Sequence, residues 1–179
     1  LYLHMDGARF ANAVAALKCE PSELVAEVDI LSLGGSKNGG PPTEAIVFFN
    51  SALAQNFAWR IKQTGQLVSK MRYLAAPWLG LLKDDVWLTN ARHANEQAKK
   101  LGRGFQQLGI EPVLGVESNM IFVRLDQGQA DALQGLGWEF YPFQLQDGTA
   151  HRFVCNWNTT DKAVKSLIED LKGITSQPS

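Results

Sequence analysis

Two side chains in this sequence have the types and settings for covalent cofactor chemistry. Asp6 closes the apolar run Leu1-Tyr2-Leu3-His4-Met5, and Lys37 sits in the glycine-rich segment Ser32-Leu33-Gly34-Gly35-Ser36-Lys37-Asn38-Gly39. An amine there can condense with a cofactor aldehyde, while a carboxylate can keep a pyridine nitrogen protonated so that the ring accepts electrons. That pair is what a pyridoxal phosphate enzyme needs. Taken singly, each residue has a plainer use: Asp is a good helix N-cap, and a lysine in a turn is commonly a solvated one. The two at this spacing favour the chemical reading.

Elements must hold such a pair in place. Leu1 to Met5 has the character of a short buried strand, and Phe10, Ala13, Val14 and Leu17 then repeat at helical spacing. Pro21-Ser22-Glu23 opens a second helical stretch through Leu24 and Val28, with Ser22 as its cap, and Asp29 to Leu33 reads as the next strand. Strand, crossover and parallel strand make a unit whose ligands sit beyond the strands' carboxyl ends. Asp6 and Lys37 both fall there. Gly34-Gly35 and Gly39-Gly40 around Lys37 suggest a backbone that must approach a bulky ligand closely, and Pro41-Pro42 stiffen the exit before the strand Ala45 to Phe49.

The segments His4-Met5-Asp6-Gly7-Ala8-Arg9 and Ser32 to Gly39 resemble the cofactor signature of low-specificity L-threonine aldolases. These belong to the aromatic amino acid β-eliminating lyase and threonine aldolase group of fold-type I pyridoxal phosphate enzymes. The resemblance continues through Gly65 to Ala76, Ser118 to Val123 and His151 to Val154, and so covers nearly the whole chain. It implies an α/β fold: the C-terminal part of a large, three-layer α/β/α cofactor domain over residues 1–80, then a small α+β domain over 81–179. It also implies retro-aldol cleavage of threonine or related β-hydroxy-α-amino acids to glycine and an aldehyde. The Asp6 and Lys37 pair alone fits β-elimination or amino-group transfer equally well, because the cofactor carries chemistry common to all three. An inactive fragment serving as an interaction module is a further alternative.

The resemblance assigns roles. Lys37 would bond the cofactor and Asp6 would face its pyridine nitrogen. Arg9 and Arg152 would bind the substrate α-carboxylate, for which the planar guanidinium fork is well shaped, and Arg9, three residues beyond Asp6, is expected on nearly the same helical face. Among the basic residues Arg60, Lys62, Lys70 and Arg72, the resemblance selects Arg72, then Lys62, to reach the phosphate of a cofactor in a neighbouring subunit. The resemblance thereby implies a homodimer or homotetramer. A solvated helix face is the plainer reading of the same cluster. His4 has the type of a general base, but its place on the strand two residues before Asp6 argues against that use.

Family members are about twice as long, with the phosphate loop, the ring-stacking residue and the histidine near the β-hydroxyl in an N-terminal half. The chain therefore reads as a C-terminal portion whose partner is that N-terminal half. Its composition is that of a globular protein: 179 residues, 45% hydrophobic, net charge −1. Near neutrality gives no general reason to bind nucleic acid or membranes, and no apolar stretch approaches transmembrane length. Cys19 and Cys155 are expected as free thiols in a reducing cytoplasm, and no histidine shows metal-ligand spacing with them.

Downstream, Ser51 to Gly65 and Gln66 to Trp78 are expected as helices, the second ended or kinked by Pro77. Asp85 to Leu108 reads as one long amphipathic helix. Pro112 to Leu114, Met120 to Leu125 and Arg152 to Asn156 read as strands, with helices around Gln129 to Leu136 and Asp161 to Leu171. That pattern predicts helices layered on a small antiparallel sheet.

Overall fold

The structure is a computed structural model describing residues 1–176. It divides into two compact units, Leu1–Ala91 and Arg92–Ser179. Among the described residues no helix is long and apolar enough to cross a membrane.

In the first unit, strand β1 (His4–Gly7) leads into helix α1 (Phe10–Leu17) and the short helix α2 (Pro21–Leu24), and strand β2 (Ile30–Gly34) returns parallel to β1. Strand β3 (Glu44–Phe48) runs antiparallel to β2, giving the order β1-β2-β3. The strand, crossover and parallel strand read from the sequence are present. Alternation along the strands sends Met5, Leu31, Leu33 and Val47 to one face, where they pack with Phe10, Val14 and Val28. The opposite face carries His4, Asp6, Ser32 and Ile46. Asp29 ties the strand ends together: its carboxylate accepts the Leu3 N–H at 2.8 Å and the Asn50 amide at 3.0 Å. Those bonds, the Asn50 one foremost, hold its pKa below the usual carboxylate value.

Three expectations change here. The first strand starts at His4, and Leu1, Tyr2 and Leu3 are exposed, because β1 pairs only with β2 and nothing in this sheet covers its start. Helix α2 is capped by Glu20 in a reciprocal box with Glu23, so Ser22 lies inside the helix, after Pro21 at its first turn. The two later helices are shorter and shifted: α3 spans Phe57–Gln63 and α4 spans Arg72–Leu82, with Gly65 in the left-handed region between them. Helix α4 runs on through Pro77 to Leu82. It stops where Asp84 and Asp85 take positive φ, a conformation Asp tolerates better than most residues. Helix α5 (Val86–Gln107) follows.

In the second unit, strand β4 (Met120–Val123), helix α6 (Gln127–Gly135), strands β5 (Tyr141–Leu145) and β6 (Gly148–Val154), and helix α7 (Asp161–Thr175) complete the chain. The sheet order is β4-β6-β5, antiparallel throughout. Ile121, Val123 and Phe153 face a core shared with Ala98, Leu101 and Phe105 of α5, Leu133 of α6 and Leu167 and Leu171 of α7. Gly104 permits close helix contact, since a Cβ there would stand 2.5 Å from Ile168. The expected layering of helices on a small antiparallel sheet is present. Pro112 contributes a single bridge to Val123 instead of a strand, and β5 was not read from the sequence.

Candidate active site

Asp6 and Lys37 stand at the same ends of adjacent parallel strands. Asp6 pairs in register with Ser32, and Lys37 follows the end of β2 in a single 3-10 turn, Ser36–Asn38. Asp6 does not cap α1. The N-cap position is Arg9, and Asp6 Oδ1 instead accepts the Ala8 N–H at 2.9 Å, which fixes the carboxylate at the strand-to-helix turn. Gly7 must be small there, because a Cβ would meet Leu31 at 2.5 Å and the Ser32 carbonyl at 2.8 Å. Among the described residues, none hydrogen-bonds to Asp6 Oδ2 or to the exposed Lys37 amine.

The lysine turn is anchored from below. Asn38 is buried; its amide donates to the Trp87 carbonyl at 2.8 Å, and its own carbonyl accepts from the Asn90 amide at 3.0 Å. The Gly40 N–H closes the turn on the Gly35 carbonyl at 2.9 Å, with Gly39 at φ 79°. The glycines are required by the protein's own packing. A Cβ on Gly34 would stand 2.9 Å from the Ala8 backbone, one on Gly35 2.8 Å from the Trp78 ring, and one on Gly40 2.7 Å from Leu81. Trp78 is itself held by a 2.8 Å bond from its indole N–H to Thr43 Oγ1.

Arg9 is half-buried and has φ −129° and ψ 31°, while Asp6 is a strand residue. The shared helical face expected for the two therefore does not exist; the turn Gly7-Ala8 relates them instead. His4 is exposed, and its Nε2 lies 2.9 Å from Ser32 Oγ on the Asp6 face of the sheet. Arg60 and Lys62 lie on α3, Lys70 precedes α4 and Arg72 begins it, all four exposed, with the Arg72 guanidinium 5.4 Å from the Tyr73 ring centre.

Arg152 lies in the second unit, at the middle of β6 and on the sheet face away from the core. Its guanidinium lies 6.0 Å from the Tyr141 ring centre and 5.9 Å from that of Phe143, and its Nε is buried with no hydrogen-bond partner among the described residues. Its neighbours His151 and Phe153 point the other way. His151 Nδ1 accepts the Leu125 N–H at 3.3 Å, and burial lowers its pKa against the opposing effect of a Val123 backbone hydrogen bond. Cys155 and Cys19 are free thiols, and burial pushes the Cys155 thiol up to about 12. Sequence reasoning missed the aromatic pair beside Arg152 because it missed β5.

Comparison with known proteins bears on these geometries together. The family model described as beta-eliminating lyase matches residues 1–127. A low specificity L-threonine aldolase of a Pseudomonas species is 46% identical over 98% of this chain and 51% of its own length, and that of Pseudomonas aeruginosa is 48% identical over 96% and 50%. The solved structure of Leishmania major threonine aldolase superposes with a TM-score of 0.88 at 30% identity, covering 98% of this chain and 52% of the other. The chain thus spans about half the length of the relatives it matches, and its α/β architecture is that of the fold-type I pyridoxal phosphate enzymes. With a family match over most of its length and the acid and lysine at the ends of neighbouring strands, the chain belongs to the beta-eliminating lyase family.

Proposed function

We propose that the full-length protein is a pyridoxal 5'-phosphate-dependent aldehyde-lyase that cleaves L-threonine and related β-hydroxy-α-amino acids to glycine and an aldehyde. The observation that carries this reading is the position of Asp6 near the end of β1 and of Lys37 just beyond the same end of the parallel strand β2. The residues fit the cofactor: among the described residues the Lys37 amine has no partner and is open to an aldehyde, and Asp6 Oδ2 has none and is open to a ring nitrogen. When bound, pyridoxal phosphate supplies an electron sink that lets the Cα–Cβ bond break.

The protein's residues do the rest. Lys37 holds the cofactor, on a turn whose backbone is anchored through Asn38 and Gly40. Asp6 keeps a proton on the pyridine nitrogen. Arg9 and Arg152 each offer a fork that would fix the substrate α-carboxylate and so orient the substrate's Cα. Arg72, and after it Lys62, neutralise the phosphate of a cofactor held in a neighbouring subunit, in a homodimer or homotetramer. We assign residues 1–80 to the cofactor-binding domain and 81–179 to the small domain, place the enzyme in the cytoplasm, and take an N-terminal half to complete the site.

Product analysis on the full-length protein tests the reading. Incubation with L-threonine should release glycine and acetaldehyde in equal amounts, and Lys37→Ala should abolish both. Release of ammonia with a 2-oxo acid would instead identify a β-eliminating enzyme, in keeping with the family's description.

A further inference from the structure

The outer face of the second unit's sheet carries three aromatic residues around one cation. Phe122, Arg152 and Tyr141 lie side by side across β4, β6 and β5, since Arg152 is in register with both Phe122 and Tyr141. Phe143 stands two residues on from Tyr141, with its ring packed edge to face against Phe122 at 5.0 Å. The guanidinium is 6.0 Å from the Tyr141 ring centre and 5.9 Å from the Phe143 ring centre. Among the described residues no ion pair includes Arg152, and none hydrogen-bonds to its buried Nε. An ordinary structural arginine would bring a carboxylate or carbonyl to that atom.

We infer that Tyr141 and Phe143 are positioning residues that hold the Arg152 guanidinium in one orientation, ready for a monocarboxylate ligand. The inference rests on the reading of Arg152 as a carboxylate-binding residue and adds the device that prepares it. Aromatic rings take up the faces of a guanidinium, whereas a carboxylate meets its N–H edge, so the two kinds of contact do not compete. A long, flexible arginine loses rotamer freedom when it grips a ligand; rings that restrain it beforehand reduce that loss. Edge packing of Phe143 on Phe122 fixes the ring that does so. Burial keeps water from the Nε side, which strengthens an edge-on ion pair. Tyr141 acts through its ring here, and its hydroxyl has no part.

The test uses the full-length, cofactor-loaded protein with 15N-labelled arginine, the Arg152 Nε–H signal being identified by its loss in Arg152→Lys. Titration with acetate should shift that signal saturably. Phe143→Leu and Tyr141→Leu should each weaken acetate binding by about two- to fivefold, and raise the KM for threonine by a similar factor with kcat little changed. Tyr141→Phe should restore both. Unchanged acetate binding in the two leucine variants would overturn the positioning role while leaving Arg152 as a carboxylate-binding residue. No response of the Arg152 signal in the unsubstituted protein would remove the underlying reading, and this inference with it.

Discussion

Asp6 is held by its turn more tightly than its exposure suggests. One carboxylate oxygen is committed to the Ala8 N–H, which leaves the other directed by the backbone instead of by a free rotamer. Asp6→Asn keeps the size and the turn hydrogen bond but removes the charge that, on the proposed function, would keep a ring nitrogen protonated. In the full-length enzyme it should retain cofactor, seen as its visible absorption, while slowing threonine cleavage by orders of magnitude. Near-normal turnover would reduce Asp6 to a turn-forming residue. The half-buried His151 and the buried Cys155 of the second unit set a pH window for stability. His151 has its pKa lowered by burial below its ordinary 6.5, so the unfolded chain binds the proton more readily; its contribution is full above pH 6.5 and is lost as pH falls below it. Cys155 is raised from 9.0 to about 12, so the folded state keeps a proton that the unfolded state gives up, and stability declines as pH rises from 9 toward 12. Urea midpoints should therefore fall on both sides of a plateau near neutral pH, and Cys155→Ala should lose part of the alkaline decline. An identical alkaline limb in that variant would show the thiol to be irrelevant.

At the scale of elements, the lysine turn is the part whose rigidity can be broken without touching its chemistry. Gly35→Ala places a methyl 2.8 Å from the Trp78 ring, which is pinned by its bond to Thr43, so the turn must move. The expected cost is about 1 to 3 kcal/mol of stability. Asn38→Ala leaves the Trp87 carbonyl without its donor in a partly buried place, at a similar cost of about 1 to 3 kcal/mol. Both variants should lower cofactor occupancy of the full-length protein although Lys37 remains, and equilibrium dialysis with pyridoxal phosphate would detect it; undiminished occupancy would mean that the turn needs no anchor. The elements best read from sequence were those with long, periodic apolar patterns: α1, β2, α5 and α7. Strand β5 escaped because Pro142 interrupts it and its aromatic residues Tyr141 and Phe143 lie on the face away from the core; as an edge strand it tolerates the proline, and Asp147-Gly148 in the hairpin was the available signal. Helix α4 was mistimed because Pro77 reads as a stop, yet packing of Trp78 and Leu81 against the lysine turn carries the helix through it. The Asp6 and Lys37 pair was legible because both lie next to strand ends in one local unit. The glycines' purpose was not, since it depends on Trp78 and Leu81, far along the chain.

The molecule as a whole leaves apolar surface uncovered in its first unit. Leu1, Leu3, Ile46 and Phe49 on or beside the sheet, and Tyr73, Leu79 and Leu82 on α4, are all exposed. Natural proteins rarely leave such a sheet face and edge open, and the chain spans about half the length of its relatives. If the proposed N-terminal half covers this surface, coexpression with it should give lower binding of a hydrophobic dye and a higher Tm than the chain has alone; unaltered dye binding would place the cover elsewhere. The central claim, that Lys37 carries the cofactor, has a direct test. Full-length protein loaded with pyridoxal phosphate is reduced with borohydride, digested and mapped by mass spectrometry. The pyridoxyl group should appear on the peptide containing Lys37 and on that residue within it; label on Lys62, Lys70 or any other lysine, with Lys37 unmodified, would contradict it.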